Sequence, residues 1–452
     1  MTECIQESFG VEAPGGRQLV ARFDGGTMSS DGGVLLLERT ERRLNLVSRL
    51  ARCFDDQRNP VYIQHQLPEM LRQRIFGLAL GYEDLSDHDQ LRHDPLLCSV
   101  SGKRRVEQET LAGKSTLNRL ELSTGQPDRY KKIHYRAEGI DELLVWMFVE
   151  AHGEPPERIV LDLDVTDLPL HGHQEGRFFH GYYDEYVYLP LYIFAGEHLL
   201  SARLRTAGQD ASAGSKEEVA RIVEQIRRHW PKVEMILRAD SGFCREELMK
   251  WCEDNGVFYV FGVACNPLLR RIIAPQLAQA ARLHRKTGRA ARGFCEFQHR
   301  TKTESWSRKR RVVAKAEQIE GKENPRFVVT NLSRRSWGKR ALYEDLYCAR
   351  GEMENRIKEQ LSLFATRVSA ETMRANQLRL YFAGLAYVLV EGLRRLGLQG
   401  TELARAQAST IRLRLLKIGA RIRITVRKIW VSLASSFPLQ GVFARAWAQL
   451  RC

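Results

Sequence analysis

The sequence predicts an α/β fold on two observations: apolar strand-like runs alternate with amphipathic helical stretches from residue 159 to 263, and basic flanks enclose them. The organising stretch is IVLDLDVT, Ile159 to Thr166, a β-branched apolar run carrying Asp162 and Asp164. Strand side chains alternate faces, so Asp162, Asp164 and Thr166 share one face while Leu161, Leu163 and Val165 share the other. Buried carboxylates without partners cost several kcal/mol, so such a strand implies neutralising cations, either divalent metals or arginines. A strand that ends at the surface with its acids in water is the plainer alternative.

Composition narrows the setting. At 43% hydrophobic and 28% charged residues, the 452-residue chain reads as globular rather than disordered, and its length suggests about two to four domains. Lys and Arg number 70 against 55 acids, a net charge of +15, which favours a polyanionic partner such as nucleic acid. The opening MTECIQESFG lacks the apolar core of a signal peptide, and the longest apolar run, Leu380 to Val390, is short of the roughly 20 residues a membrane span needs. A cytoplasmic protein with no membrane contact is the expectation. The nine cysteines, from Cys4 to Cys452, are odd in number, dispersed and without a CxxC pair, so they suggest reduced thiols rather than disulfides or a zinc site.

In chain order, a Gly-rich lead gives way to amphipathic helical patterns over Val34 to Cys53 and Val61 to Leu80, each with arginines opposite leucines. DHDQLRHDPLL, Asp87 to Leu97, reads as a helix ended near Pro95. GKST at Gly113 to Thr116 is not a phosphate-binding loop, because Gln108 stands where that pattern needs a glycine; Ser115 reads instead as a helix N-cap. After the acidic strand, Tyr186 to Phe194 and Leu199 to Arg205 read as two more strands, followed by a helix over Lys216 to His229. Val233 to Leu237 is a short strand with Asp240 just past its C-terminal end, where open α/β sheets place their chemistry. A helix (Cys244 to Asn255) and a strand (Phe258 to Val263) follow. The pair His171/His173 has no third nitrogen or thiolate at ligand spacing and reads as polar loop contacts.

Residues 281–340 carry 18 Lys/Arg against 5 acids and three strand-like runs, a basic β-rich stretch in which an exposed Trp306, an exposed Trp337 and the Arg308 to Arg311 run suit DNA contact, Arg310 included. Leu342 to Phe364 reads as a helix placing Tyr347, Arg350, Glu354 and Lys358 on successive turns. Over residues 371–452, 14 Lys/Arg face 3 acids; there, Ile411 to Leu415 and Arg421 to Ile424 alternate apolar and basic residues, which suggests a hairpin around Gly419 with one arginine face.

Asp164, Asp240 and Glu354 therefore stand on a strand, past a second strand's end and on a late helix. Oxygen ligands of this kind suit a pair of Mg²⁺ ions, which activate water and steady the entering and leaving oxygens of a phosphoryl displacement. LDLDVTDLPLHGHQEG, LRADSGF with WCEDNGVFYVFG, YCARGEMENRIKEQ and GYEDLSDHDQLRHDPLL together resemble the bacterial insertion-sequence DDE transposases that carry a β-rich insertion, nearest the group named for insertion sequence thirteen-eighty.

The resemblance implies an RNase H-like catalytic core with a β-rich insertion, a helical N-terminal DNA-binding region and a basic C-terminal region. The expected divisions are 1–155 (helical), 156–265 (core, first part), 266–340 (insertion), 341–395 (core, second part) and 396–452 (basic C-terminal). It implies that Asp164, with Asp162 as the alternative, joins Asp240 and Glu354 in catalysis and in holding two Mg²⁺ ions, for which Mn²⁺ can substitute. Tyr347, Arg350 and Lys358 would grip DNA phosphates. Water would cut the element's end, and the freed 3′-OH would attack target DNA; the partners are duplex DNA bearing terminal inverted repeats, target DNA and a second copy of the chain on DNA. A signature Lys seven residues after the Glu is Leu361 here, and Gly351 replaces a Trp that often follows the Arg. A metal-dependent nuclease without strand transfer, or a DNA-binding relative no longer catalytic, are the alternatives.

Overall fold

The computed structural model describes residues 8–451 except 14, 123–124, 127–128 and 302–304; Cys4 and Cys452 lie outside the described residues. The chain divides into two compact units, Tyr135–Gly384 and the pair of segments Met1–His134 and Leu385–Cys452.

The unit of residues 135–384 is built on a mixed sheet, nine-stranded among the described residues. We label its strands β1 (Arg158–Val165), β2 (Leu191–Ala195), β3 (His198–Arg203), β4 (Glu234–Ala239), β5 (Phe258–Val263), β6 (Ala291–His299), β7 (Arg310–Ile319) and β8 (Arg326–Thr330). Their spatial order is β3-β2-β1-β4-β5-β8-β7-β6, with the two-residue strand Lys322–Glu323 on β7. β1 pairs parallel with β4 and β4 with β5, whereas β1–β2, β2–β3, β5–β8, β8–β7 and β7–β6 are antiparallel. The basic stretch expected as a β-rich segment thus supplies strands that continue the same sheet.

Alternation along β1 dictates what covers each face. Leu161 and Leu163 enter one core with Val145 and Phe148 of helix α1 (Ala137–Ala151), with Val219 and Ile222 of α2 (Ser215–His229) and with Leu248 and Met249 of α3 (Glu246–Asp254). Each such fully buried aliphatic side chain stabilises by about 1.5–3 kcal/mol. The opposite face, which carries Val160, Asp162 and Asp164, packs with Ile236, Val260 and Val328 against Leu342 and Leu346. The segment bearing these leucines is a wide, π-type turn of helix over Leu342–Tyr347 that tightens through Cys348–Arg350 into helix α4, Gly351–Ser362. Irregular helix of this kind commonly marks functional positions.

The other unit is mainly helical. The pattern expected as one helix over Val34 to Cys53 is two, Val34–Leu44 and Leu46–Ala51, separated at Asn45 in the left-handed region with φ 49°. Of the helix expected over Val61 to Leu80, Leu67–Leu80 forms, after a separate short turn at Pro60–Tyr62, and it stops at Gly81, φ 100°, a conformation that favours glycine. Three local expectations are corrected. Pro95 begins a helix, Pro95–Ser101, because Asp94 caps it by accepting from Leu96 and Leu97 and Pro needs no partner at the first position. Ser115 lies inside helix Lys114–Glu121, whose N-cap is Gly113.

The C-terminal hairpin, finally, does not turn at Gly419. Ala408–Leu416 is helical, with Ile411, Leu415 and Leu416 buried, and the hairpin comprises β9 (Ala420–Ile424) and β10 (Ile429–Leu433). No helix among the described residues is long and apolar enough to cross a membrane.

Candidate active site

Two acids on one strand meet two different arginines. In the β1–β4 register Asp162 stands opposite Arg238, which grips it with two hydrogen bonds, Nε to Oδ1 at 2.5 Å and Nη2 to Oδ2 at 2.7 Å. Arg238 gives its third donor, Nη1, to the carbonyl of Leu346 at 2.5 Å. Both side chains are buried, and burial pushes the Asp162 carboxyl upward against the pull of Arg238. Asp162 is thus tied into the fold between strand and covering helix.

Asp164 sits two residues on, nearer the strand's end. Its Oδ2 accepts from Arg350 Nη1 at 2.8 Å and its Oδ1 from the amide of Val165 at 3.0 Å. Burial pushes its carboxyl up to about 6; Arg350 and the Val165 amide oppose this, and the negative charges of Asp240 and Glu354 add to it. Those two acids therefore lie within electrostatic reach of Asp164. Arg350 links Asp164 to the second of them: its Nη2 lies 3.9 Å from Glu354 Oε1, one turn along α4. Burial disfavours the Arg350 charge, but Asp164 first, then Tyr347, Asp240 and Glu354, raise its pKa.

Asp240 follows β4 and caps the short turn Ser241–Phe243, its Oδ1 accepting from the Gly242 amide at 2.8 Å. Beside it comes Tyr347. A Cβ at Gly262, on β5, would stand 2.6 Å from Tyr347 Oη, 2.9 Å from the Ser241 amide and 3.2 Å from the Asp240 carbonyl carbon. Only a bare glycine leaves room there for the tyrosine hydroxyl to lie against the turn that holds Asp240. Burial raises the Tyr347 pKa, Arg350 lowers it and Asp240 raises it, which places the phenol in the same field.

The structure thus sets Asp164, Glu354 and Arg350 in contact through the guanidinium, with Asp240 and Tyr347 acting on the same charges and Lys358 exposed one turn beyond Glu354. It does not do the same for the other expected DNA contacts. Trp306, expected as an exposed stacking surface, is 5% exposed and packs into the core edge-on to His299. Arg310 is buried and held by Glu246 and Glu253, so it presents no free charge to DNA. Trp337 is half-buried against the core, with the Arg158 guanidinium 5.4 Å from its ring centre. Arg238 and Gly262 were missed from the sequence. The signal for Gly262 was a glycine inside an apolar strand; Arg238 had none, because its partner is set by register across strands.

The donor set suits hard divalent cations, being all carboxylate oxygen. Among the described residues no three His, Cys, Asp or Glu side chains are gathered closely enough to ligate one ion. The guanidinium of Arg350 instead bridges two of the three carboxylates, an opposite charge where cations would act.

Against known families, the chain matches the model of Transposase DDE domain group 1 over residues 11–452, and it belongs to that family of DDE transposases. None of the curated proteins matches it. Among solved structures it is similar to a piggyBac transposase in a synaptic complex with hairpin DNA, at 12% identity and a TM-score of 0.42, covering 85% of this chain and 79% of that one.

Proposed function

We propose that this transposase cuts duplex DNA at the ends of an insertion sequence and joins the freed 3′-OH ends to target DNA, with Asp164, Asp240 and Glu354 as the catalytic acids. The observation that carries this reading is the Arg350 guanidinium, 2.8 Å from Asp164 Oδ2 and 3.9 Å from Glu354 Oε1, which links acids from distant parts of the chain; Asp240 acts on the same Asp164 carboxyl. The strand order β3-β2-β1-β4-β5, with β1, β4 and β5 parallel, supports an RNase H-like core formed by residues 156–265 and 341–395 around the stretch 266–340.

Asp164, Asp240 and Glu354 would hold two Mg²⁺ ions, or Mn²⁺ in their place. When bound, such ions lower the pKa of an attacking water and stabilise charge on the entering and leaving oxygens. The protein's own part is positioning. Arg350, beside Asp164 and Glu354, would offer its planar fork to a DNA phosphate. Lys358 extends that positive edge, and Tyr347, seated over Gly262, orients the Asp240 turn. Asp162 is not the first catalytic acid in this reading, because Arg238 occupies both its oxygens.

The test is incubation of a labelled duplex carrying an element end with Mg²⁺ and a target plasmid, comparing the wild-type chain with Glu354→Gln. Nicked and joined products from the wild type alone support the proposal. Equal cleavage by both removes Glu354 from the mechanism, and nicking without joined product reduces the enzyme to a nuclease.

A further inference from the structure

The ribbon β9–β10 lies outside the active site, in the unit of residues 1–134 and 385–452. Ala420 and Arg421 pair with the short strand Met28–Ser29 and the Ile422 amide donates to the Thr27 carbonyl at 2.8 Å, whereas Arg423–Ile424 and Ile429–Trp430 run on as a two-stranded ribbon. Alternation divides its faces. Ala420 and Ile422 are buried, and Arg421 and Arg423 are exposed beside their cross-strand partners Ser432 and Trp430. Trp430, 48% exposed, holds the head groups of Arg423 and Lys428 at 5.7 and 5.5 Å from its ring. At the tip, Thr425 and Lys428 exchange backbone hydrogen bonds of 2.9 and 3.3 Å, leaving Val426 and Arg427 projecting into solvent.

Two features make this face unlike other basic stretches. Residues 420–433 contain four Lys/Arg and no acid. Arg310 is held by two glutamates and Arg414 by Glu402, but Arg421, Arg423, Arg427 and Lys428 have no carboxylate partner among the described residues. An open groove of about 680 Å³ runs between the tip and the segment Arg104–Gln108, which adds Arg104 and Arg105 to its wall.

We propose that β9–β10 is a DNA-reading ribbon that lies in the major groove of a duplex, with Arg421 and Arg423 toward the bases and Arg427 and Lys428 on the flanking phosphates. A two-stranded antiparallel ribbon has the width of that groove, and unpaired cations on one face match the polyanion on either side. The proposal rests on the reading of the chain as a DNA-processing enzyme and adds a contact remote in sequence from the catalytic acids.

The test uses the full-length chain and a fluorescent random-sequence duplex, with anisotropy followed over a series of KCl concentrations. Each phosphate-neutralising cation contributes about 0.9 to the slope of log affinity on log salt. The variant Arg421→Ala/Arg423→Ala/Arg427→Ala/Lys428→Ala should therefore flatten the slope by roughly 2, the share of Arg427 and Lys428 on the phosphates. Its thermal melt should match the wild type, since these side chains face solvent. Arg421→Lys/Arg423→Lys/Arg427→Lys, which retains charge, should keep most of the slope. Methyl green, a major-groove ligand, should displace the wild-type chain, and netropsin, a minor-groove ligand, should not.

An unchanged slope in the alanine variant overturns the proposal while leaving the catalytic reading intact. Loss of binding to phosphatidylserine vesicles with unchanged DNA binding overturns it in favour of a membrane surface. A wild-type chain that does not bind duplex at all overturns both.

Discussion

Asp162 and Asp164 stand two residues apart on one strand face, and each is met by an arginine, yet the two pairs have opposite characters. The Asp162–Arg238 pair is enclosed between sheet and covering helix, with both carboxylate oxygens and a backbone carbonyl engaged by one guanidinium. The Asp164–Arg350 pair sits at the strand's end and uses one oxygen of the carboxylate, and its arginine leans toward a second, exposed acid, Glu354. An arginine that saturates its carboxylate fixes structure. An arginine shared between two carboxylates saturates neither.

The largest effect that would sharpen this contrast is on catalysis. Asp164→Asn should lower DNA end cleavage at least about a thousandfold, the scale on which loss of a charged catalytic group registers, with little change in the thermal melt. Asp162→Asn should do the reverse in kind: it strands Arg238 in the interior, and denaturant titration should show a loss of about 3–5 kcal/mol. Replacing the enclosed pair by Asp162→Leu/Arg238→Met should recover most of that stability, because two apolar side chains of similar volume need no compensation. If the double variant were as unstable as the single one, the pair would be more than a structural tie.

Gly262→Ala tests the seat of Tyr347 and should reduce cleavage about a hundredfold, the scale of a misplacement of roughly 1 Å. It should cost more than Tyr347→Phe, since the new methyl also meets the Ser241 amide at 2.9 Å.

The smallest effect concerns a third pair, Asp141–Arg203, in which the Asp141 carboxyl also accepts from Tyr381 at 2.7 Å. Burial pushes Asp141 up to about 6 against the pull of Arg203 and Tyr381. A carboxyl whose folded pKa is raised contributes stability that is complete below its unfolded value and is lost as pH rises through the folded one. The stability of the wild type relative to Asp141→Asn should therefore decline between about pH 4 and pH 6, measured by urea titration across that range.

Much of this was legible in the sequence for a local reason. Alternation in IVLDLDVT put both acids on one face, and helical spacing put Arg350 one turn before Glu354. What was not legible depends on contacts across the sheet. Nothing in the local sequence reveals that Arg238 pairs with Asp162, because the β1–β4 register is a tertiary fact. Trp306 sits in a charged run that suggests exposure, but the chain around it folds back onto the core and its neighbour Arg310 finds two glutamates from α3. Ile411, Leu413 and Leu415 satisfy a strand pattern, while Ile411 and Leu415 alone satisfy a helical one, and packing selects the helix: both are buried and Leu413 is 73% exposed. Counting positive charge likewise fails to separate arginines neutralised within the fold from those on the ribbon.

The central claim, that Asp164 rather than Asp162 joins Asp240 and Glu354 in one cation-binding site, is tested most directly by Mn²⁺ titration of the DNA-bound chain followed by electron paramagnetic resonance. Asp164→Asn, Asp240→Asn and Glu354→Gln should each weaken Mn²⁺ binding at least about tenfold, a loss of about 1.4 kcal/mol or more, while the Asp162→Leu/Arg238→Met chain binds as the wild type does. Undiminished binding by Asp164→Asn, or its loss in the Asp162→Leu/Arg238→Met chain, would contradict the account.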